Sequence, residues 1–166
     1  DQIGFEKAGV FRAEKPVICG DPDPPKSVIE YAEELHCELR QINRDYGVVS
    51  LAETKDWSLQ SCYRNVDDLP EPVLIGAFQK DNAATAIVAL QAVQKVSGLA
   101  EKDLLSREVL AKGLQRIRLA GRFQKIHEQP SVYLDVAHNP HAAKALLSQL
   151  KADKVKRPHK TWAINA

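Results

Sequence analysis

Between Ser131 and Leu150 an extended apolar run empties through a polar turn into a helix, and few folds house that succession. Ser131-Val132-Tyr133-Leu134 is rich in residues that favour a pleated strand. From His141 to Leu150 the apolar residues fall at Ala142, Ala145, Leu146 and Leu150, which is helical spacing. The connection is Asp135-Val136-Ala137-His138-Asn139-Pro140. Asn139 suits a helix N-cap and Pro140 the first helical position, which leaves backbone N–H groups free to face an anion. A strand that feeds a helix in this way marks the carboxyl edge of an α/β sheet, where ligands bind. Asp135 is placed to accept hydrogen bonds from ribose hydroxyls, and His138 to contact phosphate or base. Ordinary loop roles are the alternative for each.

The rest of the chain supports a mixed α/β reading. Gln2 to Phe11 reads as the end of a helix or a loop, Pro16 to Cys19 as a short buried strand, and Gly20 to Pro25 as a turn. After Ser27, the residues Val28, Ile29, Ala32 and Leu35 share one helical side, predicting a helix that ends near Leu39. Residues 41–78 alternate apolar and polar groups around Gly47, Pro70 and Pro72, which predicts short antiparallel strands forming an appendage. Asp81 to Val96 is strongly helical, with Ala86, Leu90 and Val93 as the expected core stripe and Ser97-Gly98 as its stop. A further helix is expected from Ser106, burying Val109, Leu110, Leu114 and Ile117. A strand follows over Arg122 to Ile126. Residues 132–136, 140–151 and 161–164 then form one βαβ unit, expected to be parallel and right-handed.

Composition removes several function classes. The 166 residues are 44% hydrophobic, enough for a core, and 23 Lys and Arg against 22 Asp and Glu leave a formal charge of +1. That balance gives no electrostatic reason to expect nucleic acid or an anionic membrane. Cys19, Cys37 and Cys62 are widely spaced and odd in number, which favours reduced, buried thiols over a disulfide framework or zinc cluster. No apolar run is long enough to span a bilayer, so the chain reads as cytoplasmic. It contains no methionine, which reads as an incomplete translation product.

Four stretches together carry a resemblance. Asp135-Val136-Ala137-His138-Asn139-Pro140 is similar to the signature that opens the C-terminal domain of ATP-dependent Mur ligases and folylpolyglutamate synthases. Ile3-Gly4-Phe5-Glu6-Lys7-Ala8-Gly9-Val10-Phe11-Arg12, Asp81-Asn82-Ala83-Ala84, and Leu119-Ala120-Gly121-Arg122-Phe123-Gln124 resemble, in the same order, segments of bacterial dihydrofolate synthase/folylpolyglutamate synthase. The resemblance implies an α/β fold in which residues 1–120 are the end of a P-loop-type ATPase domain with a small β appendage. Residues 121–130 would be an interdomain junction, and 131–166 the first βαβ unit of a Rossmann-like C-terminal domain.

The same resemblance implies a monomeric ligase that uses ATP and Mg2+ to add L-glutamate to dihydropteroate or folate through an acyl phosphate. It assigns Lys7 a catalytic role as a carbamate, which turns a cation into an oxygen-bearing anion able to hold magnesium, a hard ion that prefers oxygen. Left unmodified, Lys7 reads as a solvated lysine. Asn82, Arg122 and Asp135 are implied to bind the nucleotide, with His138 and Asn139 in the same signature. Taken by local chemistry alone, Asn82 reads as an N-cap and Arg122 as a salt-bridging arginine, although its planar fork suits phosphate.

No Gly-x-x-x-x-Gly-Lys-Ser/Thr phosphate loop occurs in the 166 residues. The resemblance places that loop before Asp1 and most of the glutamate site after Ala166, so the chain alone is expected to be inactive. Two other readings stay open: a Mur-type cell-wall amino-acid ligase, and a non-catalytic nucleotide-binding or interaction module.

Overall fold

A computed structural model describes residues 2–51, 53–74, 76, 78–98, 104–138 and 140–152. They fall into two compact units, one made of Asp1–Glu71 with Lys80–Gln115, the other of Pro72–Gln79 with Arg116–Ala166.

The first unit opens with α1 (Gln2–Ala8), β1 (Pro16–Cys19), α2 (Lys26–Glu34) and β2 (Glu38–Gln41). β1 and β2 pair in parallel, Val17 opposite Leu39, so α2 is the crossover of a βαβ unit. This corrects the expected helix end near Leu39. Leu35 caps α2, His36 adopts a left-handed φ of 52°, and the N–H groups of His36 and Cys37 return to the carbonyls of Glu33 and Ala32 at 3.0 and 2.8 Å. That pattern is a Schellman stop. A histidine occupies the position where a glycine would have announced it. In β1, Val17 is buried, while its neighbours are half-buried rather than enclosed.

β3 (Tyr46–Ser50), β4 (Trp57–Ser61) and β5 (Val66–Leu69) form the antiparallel meander expected of the appendage. Its inner face carries Tyr46, Trp57, Leu59, Val66 and Leu69, which pack with Ala84, Ile87 and Val88 of α3 (Gln79–Ser97) and Leu110 of α4 (Arg107–Arg116). The Trp57 indole N–H donates to the Pro70 carbonyl at 3.0 Å, which satisfies the one polar atom of this fully buried ring.

The expected stripe on α3 is displaced by nearly half a turn, given roughly 100° per residue. Ala84, Ile87, Val88, Gln91 and Ala92 face the core, while Ala86 is exposed and Leu90 and Val93 are 51% and 59% exposed. The helix is apolar on nearly every side, and periodicity then cannot choose a face. In α4, Leu110 is buried and Leu114 packs on the core, but Val109 is exposed, as is Ile117 just beyond the helix end. Ser106 caps it as expected, accepting the Val109 N–H at 3.4 Å. The three cysteines are free; Cys19 and Cys37 are half-buried, whereas Cys62 is exposed, contrary to the expected burial.

The second unit holds the antiparallel hairpin β6 (Gln124–His127) and β7 (Val132–Leu134), followed by α5 (Pro140–Ala152). α5 begins at Pro140 as expected and half-buries Ala142, Ala145, Leu146 and Leu150 around a buried Gln149. Asn139 and the strand expected over 161–164 lie outside the described residues, so the described partner of β7 is the antiparallel β6. No helix among the described residues is long and apolar enough to cross a membrane.

Candidate functional site

In the first unit the expected residue Lys7 lies near the carboxyl end of β1, and Asn82 lies on α3. Lys7 is exposed in the last turn of α1 and lines an open cavity of about 850 Å3 together with Phe11, Cys19, Gly20 and Asp21. Asn82 is exposed in the first turn of α3, three residues beyond the helix start, so it is not the N-cap that local chemistry suggested. One turn further along, Thr85 presses on Gly20, where a Cβ would meet its Oγ1 at 2.9 Å. Thr85 therefore abuts the loop that lines the cavity of Lys7, and Asn82 lies one turn earlier on the same helix.

Tyr46 fixes that junction, and the sequence alone did not single it out. Its hydroxyl donates to the Cys19 carbonyl at 2.8 Å and contacts Thr85 Oγ1 at 3.0 Å, while Thr85 donates to the Asp81 carbonyl at 2.8 Å. Burial pushes the phenol up to about 12. A neutral tyrosine thus pins the end of β1 to the start of α3. The available signal was a tyrosine on the inward face of a predicted strand. Among the described residues, no group of three His, Cys, Asp or Glu side chains could hold a metal ion.

The second unit brings Arg122, Asp135 and His138 onto two interlocked turns. Asp135 Oδ2 accepts the Phe123 N–H and Oδ1 accepts the Ala137 N–H, each at 2.8 Å. The Val136 N–H donates to the Gly121 carbonyl at 2.8 Å, and the Gly121 N–H to Gln124 Oε1 at 3.1 Å. Gly121 has φ 68° and Val136 lies so close that a Cβ there would come within 2.7 Å of its Cγ1, so glycine is required. Arg122 is exposed between Gly121 and Phe123, both at positive φ. His138 is also exposed; its Nδ1 lies 2.9 Å from the Val136 carbonyl, which can only accept, so Nδ1 donates and Nε2 stays available.

No protein-family model matches the chain. It is 38% identical over 154 residues to the dihydrofolate synthase/folylpolyglutamate synthase of Escherichia coli (strain K12), covering 92% of this chain and 33% of that protein. Escherichia coli FolC in complex with DHPP and ADP has a TM-score of 0.74 at 36% identity, covering 96% of this chain and 34% of the other. The chain is homologous to the dihydrofolate synthase/folylpolyglutamate synthases. A bifunctional folylpolyglutamate synthase/dihydrofolate synthase with Mn, AMPPNP and L-glutamate bound agrees, with a TM-score of 0.71 at 36% identity over 91% of this chain and 33% of that synthase. The chain spans about a third of the length of the synthases it matches. Its mixed α/β fold is shared with them.

Proposed function

We propose that this chain is part of a magnesium- and ATP-dependent ligase that joins L-glutamate to dihydropteroate or a folate. The observation that carries the reading is the interlocking of the Gly121–Phe123 and Asp135–His138 turns in a chain homologous to synthases solved with ADP and DHPP, and with AMPPNP and L-glutamate. In this reading residues 1–120 are the end of a P-loop-type ATPase domain with β3 to β5 as its appendage. Residues 121–130 are a junction, and residues 131–166 begin a Rossmann-like C-terminal domain. The ligase acts as a cytoplasmic monomer.

The reaction has two steps. A substrate carboxylate oxygen attacks the γ-phosphorus of ATP, ADP leaves, and an acyl phosphate forms. The glutamate amine then attacks the acyl carbon, loses a proton, and expels phosphate. Arg122, a permanently charged fork, would hold phosphate oxygens as their charge develops. His138 and Asn139 would add contacts to the nucleotide, Asn82 would bind it from α3, and Asp135 would accept from ribose. Two of the roughly four acceptor positions of the Asp135 carboxylate are taken by Phe123 and Ala137, which leaves room for that contact.

Lys7 fits a metal-related role only after modification, since an ammonium cannot ligate a cation. Its exposure on an open cavity leaves space for a carbamate, whose oxygens would serve as one magnesium ligand among several. Bound magnesium would offset the phosphate charge.

The complete ligase is expected to release phosphate from ATP only when dihydropteroate or folate and L-glutamate are both present. Arg122→Ala should lower kcat/KM for ATP by about a hundredfold, the scale of losing a group that stabilises developing charge. Wild-type turnover that ignores both substrates would sink the reading. The 166-residue chain, which has no phosphate loop, should show none of this turnover in the same assay.

A further inference from the structure

Arg122 stands between two residues with left-handed backbone, and one of them is not glycine. Phe123 has φ 47°, a conformation that bulky residues adopt only when their surroundings impose it. Its ring is 3% exposed and stacks on Tyr133 at 4.6 Å between centroids, which anchors the side chain. Its N–H donates to Asp135 Oδ2, which anchors the backbone. The other oxygen of the same carboxylate takes the Ala137 N–H, immediately before His138.

We propose that Asp135 is a positioning residue that locks the Arg122 loop to the turn carrying His138, holding both side chains ready for one phosphate-bearing ligand. The role goes beyond a ribose contact and rests on the ligase reading above. Only a carboxylate fits the geometry, since both partners are N–H donors and both oxygens must accept. In Asp135→Asn the amide nitrogen would face one of these donors and could not accept from it. A glutamate would push the carboxylate one methylene further and lose the simultaneous reach.

Two measurements test this. In the isotopically labelled 166-residue chain, Asp135→Asn should shift the amide resonances of Phe123 and Ala137 and speed exchange of at least one of them. Two unchanged amides would overturn the proposal without touching the ligase reading. In the complete ligase, Asp135→Asn should reduce kcat/KM for ATP by about tenfold or more, the scale of one charge-assisted hydrogen bond. The loss should fall mainly on kcat, and should be smaller when Arg122 is already alanine, leaving only the share that acts through His138. A role confined to ribose would instead raise KM, add in full to the Arg122→Ala loss, and be absent with 2′-deoxy-ATP and 3′-deoxy-ATP. A general loosening of the fold would lower the melting temperature and leave the two losses additive. Either of these results defeats the proposal. An inert Arg122→Ala would defeat the proposal as well, while the dependence of wild-type turnover on both substrates tests the ligase reading separately.

Discussion

Tyr46 is 4% exposed, and its hydroxyl joins Cys19 to Thr85, so its ionisation would place an anion in a buried site that also feels the Asp81 carboxylate. The folded phenol titrates at about 12 against an ordinary 10.0, and burial is the main cause. A raised folded value means that the stability it contributes is whole below pH 10 and is lost as pH climbs through 12. Urea denaturation at stepped alkaline pH should therefore show stability falling over that window, with a visibly shallower fall in Tyr46→Phe. Burial raises Tyr63 as well, so the slope in the variant should shrink without vanishing. At neutral pH the same substitution should cost about 1 kcal/mol, the usual net value of a lost hydrogen bond. Lys7, Asn82, Arg122, Asp135 and His138 were all legible as candidates because their motifs are contiguous. Tyr46 and Phe123 were not, because their importance lies in a contact 39 residues away and in a backbone angle that side-chain identity hides.

At the level of elements, strong punctuation was readable and silent punctuation was not. Pro140 and Ser106 start helices where expected, and Gly98 at φ 59° ends one. His36 ends α2 with no such signal, and β2 escaped notice because Glu38-Leu39-Arg40-Gln41 offers a single apolar residue. His36→Gly should stabilise the first unit by about 0.5–1 kcal/mol, because glycine carries little steric penalty in the left-handed region; a rise in melting temperature would register it. Trp57→Ala is expected to act in the opposite direction. The indole is wholly enclosed by the meander and α3, so its removal should cost about 3–5 kcal/mol and be visible as a lower urea midpoint. On α3 the choice between two apolar faces was made by the sheet it meets, which no single helix can encode.

For the molecule as a whole, near-neutrality matters more than any one ion pair. With a formal charge of +1 and an isoelectric point near 7.9, the chain has little repulsion between copies at mildly alkaline pH. Apolar side chains such as Phe5, Leu90 and Val93 are exposed as well. Solubility at low salt should pass through a minimum close to pH 8, which light scattering across a pH series would detect. The α/β class and the β meander were visible in advance because they rest on local alternation. The parallel pairing of β1 with β2 was hidden because it depends on partners 22 residues apart. The close approach of Gly20 to Thr85 extends that lesson to inheritance. Neither position is free to drift alone: a larger residue at one survives only if the other shrinks, so two sites 65 residues apart behave as a single heritable character.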